Sequence, residues 1–199
     1  MMYKKIESYY EVLRKLTLTI IITGKTGKSI TAQKGFEKIA SLFMRCGRRK
    51  KKLLFIGNGA SAAISSHMAV DFSKHAGIRA LAFNDASLLT CLSNDLGYEH
   101  VFEKSVGIFA DKGDVLVAIS SSGRSPNILA AVKAARTKGV FVVSLSGFLP
   151  ENPLRASGDL NFYVPAHAYS HVEIMHHSLL HYVLDCIVTD TKRGVKANA

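Results

Sequence analysis

The chain has 199 residues, 48% of them apolar, with 26 Lys and Arg against 15 Asp and Glu and a formal net charge of +11. That apolar content supports a real core and argues against disorder, while no apolar run approaches the roughly 20 residues needed to span a bilayer. The cationic excess favours an anionic ligand, and the scattered Cys46, Cys91 and Cys186 read as reduced thiols of a cytoplasmic protein, not as a disulfide framework.

From Tyr3 to about Ile22, apolar residues recur at helical spacing through Ile6, Tyr9, Tyr10, Leu13 and Leu16, although 16–22 reads equally well as a strand. The opening is charged and lacks the apolar stretch of a secretion signal. Gly24-Lys25-Thr26-Gly27-Lys28-Ser29 ends like a P-loop, but Ile22 stands where the first glycine is required, so an interhelical turn is expected. Ile30 to Cys46 is a second amphipathic helix, stopped by Gly47. The run Arg48 to Lys52, like Lys192, Arg193 and Lys196, reads as solvated charge before it reads as a binding patch.

Leu53 to Ile56 is an apolar strand, followed by Gly57-Asn58-Gly59-Ala60-Ser61 and a helix to about His75. Ile78 to Phe83 is a further strand, and Asp85 to Ala110 is helical with a break near 94–97. Val115 to Ile119 has the wholly apolar character of a buried parallel strand. Ser120-Ser121-Ser122-Gly123-Arg124-Ser125 follow it, with Ser125 as N-cap and Pro126 at the first helical position. Val140 to Ser144 is a strand, 147–158 a polar loop, Leu160 to Val164 a last strand, and Ala168 to Asp190 a closing helix. The alternation predicts an α/β fold: a doubly wound, mostly parallel five-stranded sheet flanked by helices, with two N-terminal helices. One domain over 1–199 is expected, with 1–47 the helical pair and 53–190 the sheet and its helices.

Two strand–turn–helix units therefore present small residues, hydroxyls and a helix N-terminus at the carboxyl edge of the sheet, where an anion is held well. Either turn alone could merely cap its helix; two in one chain point to a phosphate. His67 and Asp71 lie four apart on the helix after the first turn and face the same way. On the last helix, Glu173, His177 and His181 form one stripe, with His176 turned about 100° from His177. Two helices each offering a carboxylate and an imidazole could hold zinc or a similar divalent ion, or act as an acid/base pair; isolated surface ion pairs are the alternative.

Gly57 to Ser61 with His67 and Asp71, then Ser93-Asn94-Asp95, then Ile119 to Ser125, and the His-bearing last helix together resemble the sugar isomerase (SIS) domain family, in particular its phosphoheptose isomerase branch, from about Tyr3 to Asp190. The resemblance implies the SIS fold, a homotetramer with shared active sites in which the N-terminal helices pack, and often zinc. It implies isomerisation of sedoheptulose 7-phosphate to D-glycero-D-manno-heptose 7-phosphate in heptose biosynthesis. Carried over, Ser61, Ser120, Ser121, Ser122 and Ser125 hold the phosphate, and Asn58, Gly59, Asp95 and Glu173 bind substrate. His67, Asp71, Glu173 and His181 hold the metal, and Asp71 and His181 shuttle the proton. Matching the family's closing histidines to His176 and His181 leaves three departures: Asp71 for Glu, Glu173 for Gln and Ser170 for Asp. Arg124 adds a cation where a small polar residue is common. The second reading is a non-catalytic SIS protein that associates with the replication initiator DnaA; a sugar-phosphate-sensing regulator is a third. No membrane or nucleic-acid partner is expected.

Overall fold

The computed structural model describes residues 5–197, with side chains described to residue 190. Helix α1 (Ile6–Thr19) gives way at Ile20 to a hairpin, β1 (Ile21–Gly24) and β2 (Ser29–Ile30). The ambiguous stretch 16–22 is thus helix in its first half and strand in its second. Consecutive β-branched residues, Thr19 to Thr23, explain the change, because they lose side-chain freedom in a helix and fit a pleated surface. The segment from Gly24 to Ser29 is the hairpin turn, not an interhelical one: the Gly27 amide donates to Gly24 O (2.9 Å), and Gly27 takes φ +75°. Ser29 lies in a strand, so no P-loop helix can start there.

Helix α2 (Ala32–Arg48) opens at Thr31, whose side chain accepts from the Lys34 amide, and runs through Gly47 before stopping. After it come β3 (Leu53–Ile56), α3 (Ala60–Ala76), β4 (Ala80–Ala82), α4 (Ala86–Leu96), a single 3-10 turn at Tyr98–His100 and α5 (Val101–Phe109). The expected break falls at Gly97 (φ +89°). The chain continues through β5 (Val115–Ser120), α6 (Pro126–Thr137), β6 (Phe141–Ser146), α7 (Pro153–Ser157), β7 (Leu160–Tyr163) and α8 (Tyr169–Ala197). The loop 147–158 therefore contains a short helix, started by the Asn152 side chain and Pro153.

The five expected strands pair in parallel in the order β7–β6–β5–β3–β4, and the hairpin adds β1 and β2 antiparallel beyond β7, making seven. Side chains alternate across this sheet, as the strand period requires. Leu53, Phe55, Val117, Ile119 and Val143 pack on one face with Phe43, Met68, Phe72, Met175 and Leu179 from α2, α3 and α8. Leu54, Ile56, Leu116, Ala118 and Val142 face the other layer, with Phe102, Val106, Ile128 and Val132 from α5 and α6. Since α3 and α8 share the first layer, they lie side by side, and the turns after β3, β5 and β6 collect at one edge.

Candidate active site

Both turns at that edge depend on glycine. A Cβ on Gly57 would stand 2.5 Å from Ser61 O, a backbone atom that cannot step aside, and Gly59 adopts φ +55°, ψ −123° at the entry to α3. Asn58 between them is held from three sides. It exchanges amide hydrogen bonds with Asn127, at the start of α6 (3.0 and 2.9 Å), and its Oδ1 also accepts from Tyr98 Oη–H (3.0 Å). The first turn is therefore tied to the second. Ser61 is buried on the first turn of α3, its amide donating to Asn58 O (3.0 Å).

In the serine turn, Gly123 (φ +63°) donates to Ser120 O (3.0 Å), and the Arg124 amide donates to Ser122 Oγ (3.3 Å). Ser125 occupies the N-cap position with Pro126 behind it, as expected, but its side chain does not cap. Its Oγ lies 3.2 Å from Ser120 Oγ instead, so the two hydroxyls point into the turn. Ser121 Oγ is buried and has no hydrogen-bond partner among the described residues, which a buried hydroxyl rarely tolerates without a ligand or water. Asp95 is not joined to either turn. It lies in an exposed groove with His100, Glu103 and Lys104, contacting Cys91 Sγ (3.7 Å) and the Asn94 amide (2.9 Å).

The imidazole–carboxylate group forms between α3 and α8. Asp71 Oδ2 lies 3.2 Å from His67 Nε2 and 3.9 Å from His181 Nδ1, and Asp71 Oδ1 lies 3.9 Å from His75 Nε2. His67 and His181 thus point to one place. His177 joins them: one ring nitrogen each from His67, His177 and His181 falls within 4.8 Å of the others. His177 Nε2 is buried without a partner among the described residues. Burial holds the His177 imidazole below its usual protonation range, helped by His181 and His67 and opposed by Asp71. A neutral imidazole with a free lone pair, two more beside it and a carboxylate at hand form a donor set that suits a borderline divalent ion.

Of the four expected ligands, His67, Asp71 and His181 meet. Glu173, one turn before His177, is half-buried, with burial raising its carboxyl above the usual range, and does not belong to the converging group. His177 is the residue that sequence reasoning passed over. Its signal was the 173–177–181 stripe, overridden by the spacing that favoured His176. In the structure His177, not His176, joins the cluster. His176 is fully buried and faces the sheet, with Nε2 3.2 Å from Ser146 O, and burial pushes it down to about 4. The next residue, Gly147, donates its amide to Ser121 O (2.9 Å), so His176 ties the histidine helix to the serine turn.

Two hydroxyl-bearing turns at the carboxyl edge of a doubly wound sheet, with an imidazole–carboxylate cluster between the helices α3 and α8 that cover one face, are the layout of a sugar-phosphate isomerase. Residues 26–147 match the SIS domain family, and the chain belongs to it, within the branch of the phosphoheptose isomerases; it is an isomerase. It is 33% identical over 177 residues to a phosphoheptose isomerase of Helicobacter hepaticus, covering 86% of this chain and 90% of that one. It is 31% identical over 158 residues to that of Fusobacterium nucleatum, covering 77% and 81%. The solved structure of phosphoheptose isomerase GmhA from Neisseria gonorrhoeae superposes with a TM-score of 0.80 at 31% identity, over 92% of this chain and 97% of that one.

Proposed function

We propose that the protein converts sedoheptulose 7-phosphate to D-glycero-D-manno-heptose 7-phosphate by proton transfer through a cis-enediol. The observation that carries this reading is the approach of His67, Asp71 and His181 to one point between α3 and α8, in a chain whose serine turn holds a buried hydroxyl with no partner among the described residues. Ser120, Ser121, Ser122 and Ser125, with Ser61 and the N-termini of α3 and α6, hold the phosphate through hydroxyl and amide hydrogens and the positive helix ends. Asn58 and Gly59 contact the sugar chain; Asp95 and Glu173, assigned to the substrate by the family resemblance, stand apart from both turns and from the histidine cluster in this structure.

In the forward direction a base removes a proton from C1 of the ketose while O2 takes one up, giving the enediol. O1–H then loses its proton as C2 gains one, leaving the aldehyde at C1. No net proton is consumed, so one acid/base pair returning to its starting state suffices. Asp71 and His181 fill these roles; their facing atoms stand 3.9 Å apart, so a substrate hydroxyl or a water must bridge them for a proton to pass. His67, His177 and His181, with Asp71, would hold a zinc ion. Such an ion supplies a Lewis acid that favours the electron-rich oxygens of an enediol.

The chain works as one SIS domain in a homotetramer with shared sites, a reading supported by exposed apolar side chains on α1 and α8, such as Ile6, Leu18, Ile174 and Tyr182. Among the described residues, no helix is long and apolar enough to cross a membrane, in keeping with a cytoplasmic enzyme. A protein serving only as a DnaA-associated scaffold has no use for the histidine cluster. Incubation of the purified protein with sedoheptulose 7-phosphate, with and without zinc, tests the proposal: heptose 7-phosphate is the expected product, and its absence from metal-loaded protein would overturn it.

A further inference from the structure

The back of the serine turn rests on one side chain in the segment between β6 and β7. Asn152 is 1% exposed, and both ends of its carboxamide are hydrogen-bonded to the segment 146–155 behind the serine turn. Its Nδ2 donates toward Ser146 Oγ (3.2 Å), Gly147 O (3.3 Å) and Leu149 O (2.8 Å), while its Oδ1 accepts from the Arg155 amide (2.9 Å). It presses directly against Gly123, where an added Cβ would run into the Asn152 carboxamide. Two backbone bonds complete the joint: the Leu154 amide donates to Gly123 O (3.0 Å) and the Gly147 amide to Ser121 O (2.9 Å). Ser121 and Gly123 are thus fixed from behind, and Asn152 holds both attachments in place, because it anchors the residues on either side that make them.

We infer that Asn152 is a positioning residue for phosphate binding, setting the shape of the 120–125 turn without touching the ligand. The three atoms nearest the place of a Gly123 Cβ all belong to the Asn152 side chain, and the positive φ of Gly123 keeps the turn tight. An anion bound by several amides and hydroxyls at once is sensitive to a small loosening of their arrangement. Ala at position 152 removes both the filler and the donors. Ser retains an oxygen able to cap α7 but cannot span to Ser146, Gly147 and Leu149 together.

The inference rests on the serine turn being the phosphate site, and the test separates the two. Inorganic phosphate is titrated calorimetrically into the full chain, its Asn152→Ala and Asn152→Ser variants, and a Ser120→Ala/Ser125→Ala double variant, alongside thermal midpoints and steady-state kinetics. The expected result is a phosphate affinity weakened about tenfold in both Asn152 variants. KM should rise by a similar factor, kcat should fall far less, and the Ser variant, which keeps the α7 cap, should melt between the Ala variant and the parent. Wild-type phosphate affinity in Asn152→Ser, with affinity lost in the double serine variant, would overturn the inference and leave the turn's role intact. Wild-type affinity in all of the variants would overturn both. Should Asn152→Ala fail to fold, Asn152→Ser decides.

Discussion

Asp71 on α3 and His181 on α8 stand 3.9 Å apart, Oδ2 to Nδ1, although they come from opposite halves of the chain. Their meeting follows from the sheet: both helices cover the same face, and their facing stripes carry the only carboxylate and imidazoles of the group. The shorter Asp, where the family resemblance leads one to expect Glu, pairs closely with His67 (3.2 Å) and stands farther from His181.

His181→Ala removes one member of the acid/base pair and should lower kcat by about 10²- to 10⁴-fold. The serine turn is untouched, so titration with inorganic phosphate should give wild-type affinity. Near-normal turnover would remove His181 from the chemistry.

Metal analysis distinguishes the expected ligand set from the converging one. After dialysis against a weak chelator and reloading with zinc, His177→Ala should retain far less metal than the parent, while Glu173→Gln should lose less. Activity should fall on chelation and return with zinc. Full metal content in His177→Ala would return the site to the four residues read from sequence.

His176 makes stability depend on pH. Its folded value near 4 lies below the ordinary 6.5, so the unfolded chain binds the extra proton first as pH falls. Its contribution is therefore intact above about pH 6.5 and is lost progressively down to about pH 4, where it levels off. The total is on the order of 3 kcal/mol. Urea unfolding from pH 7.5 to 4.5 should show stability falling with acidity, with a shallower fall in His176→Asn. Equal slopes in the two proteins would place the buried imidazole's burden elsewhere.

Lys28 sits in the hairpin turn next to Ser29, not on a nucleotide-binding loop. Lys28→Ala should leave turnover unchanged and stability within about 0.5 kcal/mol, as for an ordinary surface substitution. A loss of activity in enzyme assays would revive a role for this lysine.

Much of the layout could be read from residues alone because local signals agreed with the global fold. The apolar runs at 53–56, 115–119 and 140–144 are strands, and Gly97 breaks the α4–α5 segment as expected. His67 and Asp71 were paired by helical spacing alone. What escaped depended on which neighbour a face would meet. Periodicity places His176 and His177 about 100° apart but does not say which one looks toward α3. The hairpin escaped for a similar reason, since the β-branched run 19–23 shows itself as a strand only through its partners, β2 and β7. Asn152-Pro153 carried the same start signal as Ser125-Pro126, but five residues of helix leave no periodicity to confirm it.

The pairing of Ile21 with Tyr163 and of Gly24 with Leu160 also bears on how the polypeptide comes off the ribosome. The run Ile20-Ile21-Ile22 emerges early, and the edge it must join is among the last to be made. Throughout that interval a sticky β-branched stretch has no native place to go, so the nascent protein is open to chaperone capture or to pairing with another chain. Closure of this seam is a long-range pairing and therefore a slow one.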